Sequence, residues 1–252
     1  MILDIIKSKG ESKGAIIYFH TGGMICSTSR ELQDYQIELL KDYDIYLLEY
    51  RLAPKYKFDE IIDDAYMTVD EVFKKEKKVI FFAKSAGCYI AMSIYSRRYI
   101  EKKDNALAMI LFYGYYKFSH KSFIEPSKYY QNYNISSEMI DRILQKDEIS
   151  LMNRTIIYIY TRAQGTWLDF IGMDTSNLDK YSLEEYLDKF PRTYIATALR
   201  DTDVDSSNSL SLHSKIRDSK LYTVDRQVHM FDQEENEDNI ALFEDILEFI
   251  NI

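Results

Sequence analysis

Between residues 15 and 98 the chain repeats one pattern three times: a short, almost wholly apolar segment followed by a longer amphipathic one. The apolar segments are 15–20 (Ala-Ile-Ile-Tyr-Phe-His), 44–50 (Asp-Ile-Tyr-Leu-Leu-Glu-Tyr) and 78–83. A strand with one wet face alternates polar and apolar residues, whereas a strand apolar throughout is covered on both faces. The intervening segments have helical spacing. Residues 29–41 carry Leu32, Tyr35, Ile37 and Leu40 behind a Thr28/Ser29 cap, residues 58–75 carry Ile61, Ile62, Ala65, Val69 and Phe73, and residues 86–98 follow the third strand. This order predicts a mostly parallel, doubly wound sheet with helices on both sides. Further strands are expected at 106–113, 194–199 and 220–224, with helices at 210–216 and 236–250.

The alternation breaks between residues 117 and 189. That stretch has helix-like pieces at 136–146, 155–172 and 182–188 but no good strand, and an insertion this long between sheet strands reads as a cap. Residues 1–116 and 190–252 are therefore expected to form the core, and 117–189 a helical cap or lid. The aromatic segment around Trp167 is expected to face the pocket and contact substrate.

Ser85 lies where the third apolar strand meets its helix. A sharp strand-to-helix turn brings two backbones nearly into contact, so the residues two before and two after the serine must be small. Ala83 and Gly87 meet that demand, which makes this the small-x-Ser-x-small form of a nucleophile elbow. The following helix adds partial positive charge and free N–H groups close to any developing oxyanion. Upstream, the first apolar strand runs into His20-Thr21-Gly22-Gly23, and paired glycines leave backbone N–H groups exposed, as an oxyanion site requires.

Two later residues join the serine. Asp201 follows the strand at 194–199, and His229 follows the last strand. In a doubly wound sheet the carboxyl ends of the parallel strands share one edge, so Ser85, Asp201 and His229 can converge there in the order nucleophile, acid, base. His229 would take the serine proton, and Asp201 would fix its tautomer. Asp203 is a rival acid. Asp201 is preferred because it lies two residues past the apolar strand and Val204 follows at an apolar position.

Four strings then fall in order: His20-Thr21-Gly22-Gly23, Glu49-Tyr50-Arg51-Leu52-Ala53-Pro54, Lys84-Ser85-Ala86-Gly87 and His229-Met230-Phe231. Together they resemble the motifs of the hormone-sensitive-lipase-like esterase branch of the α/β-hydrolase superfamily: His-Gly-Gly-Gly, Asp-Tyr-Arg-Leu-Ala-Pro, Gly-Asp-Ser-Ala-Gly and His-x-Phe. The likeness runs from about residue 14 to the end, except for the insertion. It implies an α/β-hydrolase fold with an oxyanion hole formed by the backbone N–H groups of Gly22, Gly23 and Ala86, with Thr21 a further candidate. It also implies that Glu49 and Arg51 tie down the loop behind the site, with Arg51 paired. Thr21 and Ala83 stand where the family has glycine.

Composition narrows the remaining classes. A net charge of −9 argues against general affinity for nucleic acid or anionic membranes. Cys26 and Cys88 have no metal-ligand spacing and read as free thiols of a reducing compartment, a disulfide between them being the alternative. No apolar run is long enough to span a membrane and no leader segment is evident, so a cytoplasmic location is expected. The expected activity is hydrolysis of a small or medium acyl or acetyl ester through an acyl-enzyme on Ser85, with no metal or organic cofactor implied. The only partner expected is the small-molecule ester; oligomeric state stays open, a homodimer being one of the states allowed. The alternatives are a peptidase of the same fold and a non-catalytic, hydrolase-like protein that binds a ligand or partner in the pocket.

Overall fold

The computed structural model describes residues 3–250. Seven strands form one sheet: β1 (Leu3–Ile6), β2 (Ala15–Phe19), β3 (Asp44–Leu48), β4 (Val79–Lys84), β5 (Ala108–Phe112), β6 (Arg192–Ala198) and β7 (Ser219–Val224). Their order across the sheet is β1-β3-β2-β4-β5-β6-β7. β1 runs antiparallel to β3 and every other pair is parallel. The edge strand β1 is the one strand the periodicity did not predict, because four residues carry too little pattern.

The strands β2 to β5 are buried along their whole length, as their apolar runs require. Successive side chains point to opposite faces. One face carries Ile17, Phe19, Phe81, Ala83 and Leu111 into a core shared with α2 (Phe58–Phe73), α3 (Ala86–Ile100) and the insertion. The other carries Tyr18, Phe82, Ile110 and Phe112 into a core with α1 (Asp34–Leu39) and α10 (Glu237–Ile250). Helix α9 (Ser207–Lys215) links β6 to β7.

Between β5 and β6 the chain forms five α-helices, α4 (Lys121–Ile124), α5 (Lys128–Gln131), α6 (Ser137–Leu144), α7 (Leu151–Gln164) and α8 (Trp167–Phe170), followed by 3₁₀ turns at Leu178–Tyr181 and Glu184–Lys189. Two boundaries differ from the sequence reading, each for a local reason. The helix expected at 155–172 is two, because Gly165 takes φ 71° and caps α7 in the left-handed conformation. A Cβ there would lie 2.8 Å from the Ile124 carbonyl oxygen. The helix expected at 29–41 is a 3₁₀ turn at Ser29–Glu31 followed by α1, whose start is fixed by a reciprocal capping box between Gln33 and Gln36.

Candidate active site

Ser85 occupies the turn between β4 and α3 with φ 52° and ψ −120°, a conformation that non-glycine residues rarely adopt. Holding it there costs roughly 1–3 kcal/mol, which the surrounding packing must offset. Gly87 shows how tight the turn is. A Cβ at that position would lie 2.4 Å from the Phe19 carbonyl oxygen and 2.6 Å from that of His20, so only glycine fits. Ala83, in contrast, sits without difficulty inside the sheet between Phe19 and Leu111.

Three chain-distant residues meet at this edge. Ser85 Oγ lies 2.9 Å from His229 Nε2, and His229 Nδ1 lies 2.7 Å from Asp201 Oδ2. Asp201 is fully buried, and its other oxygen accepts the amides of Asp203 (2.8 Å) and Val204 (3.0 Å), which fix the carboxylate's orientation. Burial pulls the His229 imidazole pKa down. The Asp201 carboxylate, by charge and hydrogen bond, and then Asp203 more than reverse this, leaving the pKa above its ordinary value.

Asp203 has a different set of partners. It is buried against Arg162 of α7, whose Nη1 is 2.7 Å from Oδ1, and it accepts the Tyr158 hydroxyl at 2.7 Å. Arg162 also donates to the backbone oxygens of Asp203 (2.9 Å) and Ser122 (3.0 Å). Burial would raise the Asp203 pKa, but the Arg162 guanidinium, then His229 and the tyrosine hydroxyls, hold it below the usual carboxylate range. Asp203 thus carries charge but faces α7, 3.9 Å from His229 Nε2 and away from Nδ1.

The glycine loop after β2 is shaped from both sides. Gly22 has φ 95° and Gly23 φ 59°. The Gly22 oxygen accepts the amides of Ile25 and Cys26, both at 3.0 Å. Glu31 accepts the Thr21 amide and the Thr21 hydroxyl, each at 2.7 Å, together with the Tyr18 hydroxyl at 2.7 Å and the Ser27 hydroxyl. The Thr21 amide is therefore occupied. Among the described residues the amides of Gly22, Gly23 and Ala86 have no hydrogen-bond partner. Behind the loop, the Tyr50 hydroxyl donates to the His20 carbonyl at 2.7 Å and its ring stacks on the imidazole at 4.0 Å. Glu49 accepts the Ser29 amide at 2.6 Å, and Arg51, half-exposed, lies 3.2 Å from Asp64. These contacts anchor the loop, as the motif comparison implied.

Trp167 is placed differently from expectation. It is 1% exposed and does not line the cavity above Ser85. It packs among Tyr115, Phe118, Phe123 and Tyr158, at ring distances of 5.5 to 6.4 Å, and its Nε1 donates to the Gly23 oxygen at 2.9 Å. An apolar ring with one polar atom is most stable where the body is buried and the N–H has an acceptor, and the core beneath the glycine loop supplies both.

The cavity itself, about 510 Å³, contains Ser85 and His229 and is walled by Thr21, Gly22 and Glu31 on one side. Tyr129, Tyr130 and Tyr133 come from α5 and the turn after it, and Leu151, Tyr158 and Ile159 from α7. Cys26 also lines it, its thiol pushed up to about 12 by burial and so kept protonated. Neither cysteine is in a disulfide. Among the described residues no group of three or more His, Cys, Asp or Glu could hold a metal ion, and no helix is long and apolar enough to cross a membrane.

Sequence reading missed four features around the site. Arg162 and Tyr158, which hold Asp203, lie in the unrecognised insertion; a lone cation in so apolar a segment was the available signal. Glu31 gave none. The fourth is the buried pair Lys84–Asp232, 2.6 Å apart and both fully buried. Asp232 also accepts from Tyr113 (2.8 Å) and Gln36 (2.9 Å), and the Tyr113 ring lies 4.6 Å from that of His229. A lysine at the end of a buried strand was the clue to that network.

Residues 16–233 match the family model described as the alpha/beta hydrolase fold. No curated protein matches the sequence. A protein of unknown function from Staphylococcus aureus subsp. aureus Mu50 superposes with a TM-score of 0.90 at 28% identity, covering 99% of this chain and 93% of that one. An alpha/beta hydrolase superfamily protein from Enterococcus faecalis gives 0.87 at 24% identity, covering 98% and 93%. A hormone-sensitive lipase from a metagenome library shares the fold, at a TM-score of 0.68 and 17% identity over 98% of this chain and 80% of that one. The family match spans the glycine loop, the serine turn, both acids and the histidine: the chain belongs to the α/β-hydrolase family.

Proposed function

We propose that the protein is a serine esterase that cleaves small or medium carboxylic esters through an acyl-enzyme on Ser85. The observation that carries this reading is the unbroken hydrogen-bond line from Ser85 Oγ through His229 to Asp201, built on a serine held in a strained turn. His229 Nε2 takes the serine proton as Oγ attacks the ester carbonyl, and Asp201 stabilises the resulting imidazolium. The amides of Gly22, Gly23 and Ala86 receive the oxyanion. His229 then returns the proton to the leaving alcohol, and a water activated by the same nitrogen releases the acid. The helices between β5 and β6 act as the cap of the pocket and set the size of ester admitted.

The Thr21 and Ala83 departures do not argue against catalysis. Thr21 gains two hydrogen bonds to Glu31, and Ala83 is accommodated in the sheet. Hydrolysis of p-nitrophenyl acetate and butyrate by the wild type, and its loss by several decades in Ser85→Ala with the fold retained, is the expected result. Activity kept within about tenfold in that variant would sink the assignment.

A further inference from the structure

The cavity above Ser85 has a charge and surface chemistry that its position in the fold does not require. Among the described residues no lysine or arginine lines it. Two carboxylates do, Glu31 and Asp203. Asp203 is balanced by Arg162, but every partner of Glu31 is a neutral hydroxyl or amide, so its negative charge is uncompensated. A further carboxylate, Asp201, lies behind His229 and is hydrogen-bonded to it. Inward from the mouth runs a lane of tyrosine rings. Tyr129 and Tyr133, 44% and 52% exposed, flank Tyr130 at 5.1 and 6.3 Å, and Tyr130 meets the buried Tyr158 at 5.9 Å. The Tyr158 hydroxyl is taken up by Asp203, which leaves its ring, not its oxygen, as its means of contact.

Aromatic faces in a negative field attract cations. The kind of cation follows from the hydrogen bonds. Glu31 already accepts four donors, two on each oxygen, which fills its lone-pair sites. A primary ammonium entering the cavity would shed water without gaining a carboxylate to donate to, a loss that disfavours it. A quaternary ammonium has no hydrogen to donate and needs only ring faces and the field. An anionic ester meets the unpaired Glu31 carboxylate and no lysine or arginine, and is disfavoured.

We infer that the cavity selects ligands carrying a quaternary ammonium group, seated against Tyr129, Tyr130 and Tyr133, with the ester carbonyl reaching Ser85. The ester part rests on the proposed esterase reading; the binding part does not. The net charge of −9 favours encounter with such ligands at low salt.

The test uses an isosteric pair, choline and 3,3-dimethylbutan-1-ol, with 3,3-dimethylbutanoate as the anionic arm. Calorimetric titration is done on Ser85→Ala protein, so that binding is read without turnover. The expected result is choline bound at least tenfold tighter than its neutral isostere, and no binding of the carboxylate. Tyr133→Leu and Tyr130→Leu should each reduce that preference at least threefold. Tyr133 is half-exposed, so its replacement leaves folding intact and keeps the test valid if Tyr130→Leu is unstable. Equal binding of the neutral isostere overturns the inference. So does a preference unchanged in Tyr133→Leu and Tyr130→Leu, since that would mean general attraction to an acidic protein. In parallel, the wild type is offered acetylcholine and 3,3-dimethylbutyl acetate. Failure to hydrolyse either, with choline still bound, counts against the esterase reading alone. Hydrolysis of the neutral ester without choline preference counts against the cation site alone.

Discussion

Arg162, on α7, holds its Nη1 2.7 Å from Oδ1 of Asp203, two residues beyond the acid that contacts His229. The two aspartates at the end of β6 therefore divide their labour. Asp201 faces the imidazole, while Asp203 fastens α7 to the end of β6.

That division sets the first prediction. Asp201→Asn should lower kcat on the order of 10⁴-fold, because the imidazole loses its orienting partner. Asp203→Asn should keep kcat/KM within about tenfold but destabilise the protein by about 3–5 kcal/mol, since it leaves Arg162 buried without its counter-charge. Ester kinetics alongside urea unfolding separate the two. The reverse pattern would move the catalytic acid to Asp203.

The pH profile follows from His229. Asp201 and then Asp203 raise its pKa against the effect of burial. Protonation removes the base, so a raised pKa moves the loss of activity to higher pH. The acid limb of kcat/KM should lie above the ordinary imidazole value of about 6.5. Asp203→Asn removes one of the raising charges, and its limb should shift to lower pH. A wild-type limb below 6.5, or a shift upward in the variant, contradicts the assigned environment.

Lys84 and Asp232 lie close to Ser85 and His229 in sequence, and their ion pair joins the two segments in the core. Removing one partner strands the other, so Lys84→Met and Asp232→Asn should each cost about 3–5 kcal/mol. Their effects should not add: a double-mutant cycle is expected to give a coupling on the order of 2 kcal/mol. Additivity within about 0.5 kcal/mol would show that the two do not act as a unit.

Trp167 should reveal itself through the glycine loop. Trp167→Phe keeps most of the bulk but deletes the hydrogen bond to the Gly23 oxygen. It should lower kcat for short and long esters alike, leaving chain-length preference unchanged. Trp167→Ala should add a stability loss of about 3–5 kcal/mol. A change in chain-length preference in Trp167→Phe would place the ring in contact with substrate after all.

The parts legible in the sequence were those whose signal is local. Strands 15–20, 44–50 and 78–83 declared themselves because burial on both faces selects mostly apolar residues. The serine turn declared itself because steric crowding leaves few residue types at positions 83 and 87. Asp201 and His229 were found because parallel strands end at one edge. What stayed hidden depends on contacts far apart in sequence. Glu31 reaches back ten residues to Thr21, Arg162 spans forty-one residues to Asp203, and Lys84 meets Asp232 across the sheet. No periodicity encodes such meetings. The role expected of Trp167 failed for a related reason: an apolar segment announces burial, but not whether it is buried under a pocket or within one.

The hydrogen bond from Trp167 to Gly23, together with Tyr158 packed where a Gly23 Cβ would be, has a consequence for redesign. The segment that lines the pocket with Tyr130 and Tyr158 also supports the loop that would receive the oxyanion. Exchanging the whole segment for that of a relative would change specificity only by dismantling the loop beneath it. Swinging α7 outward would pull the Tyr158 ring away from Gly23. Retuning this protein is therefore a matter of single residues at the rim, Tyr129, Tyr133 and Leu151, whose side chains are exposed and bear no part of that scaffold.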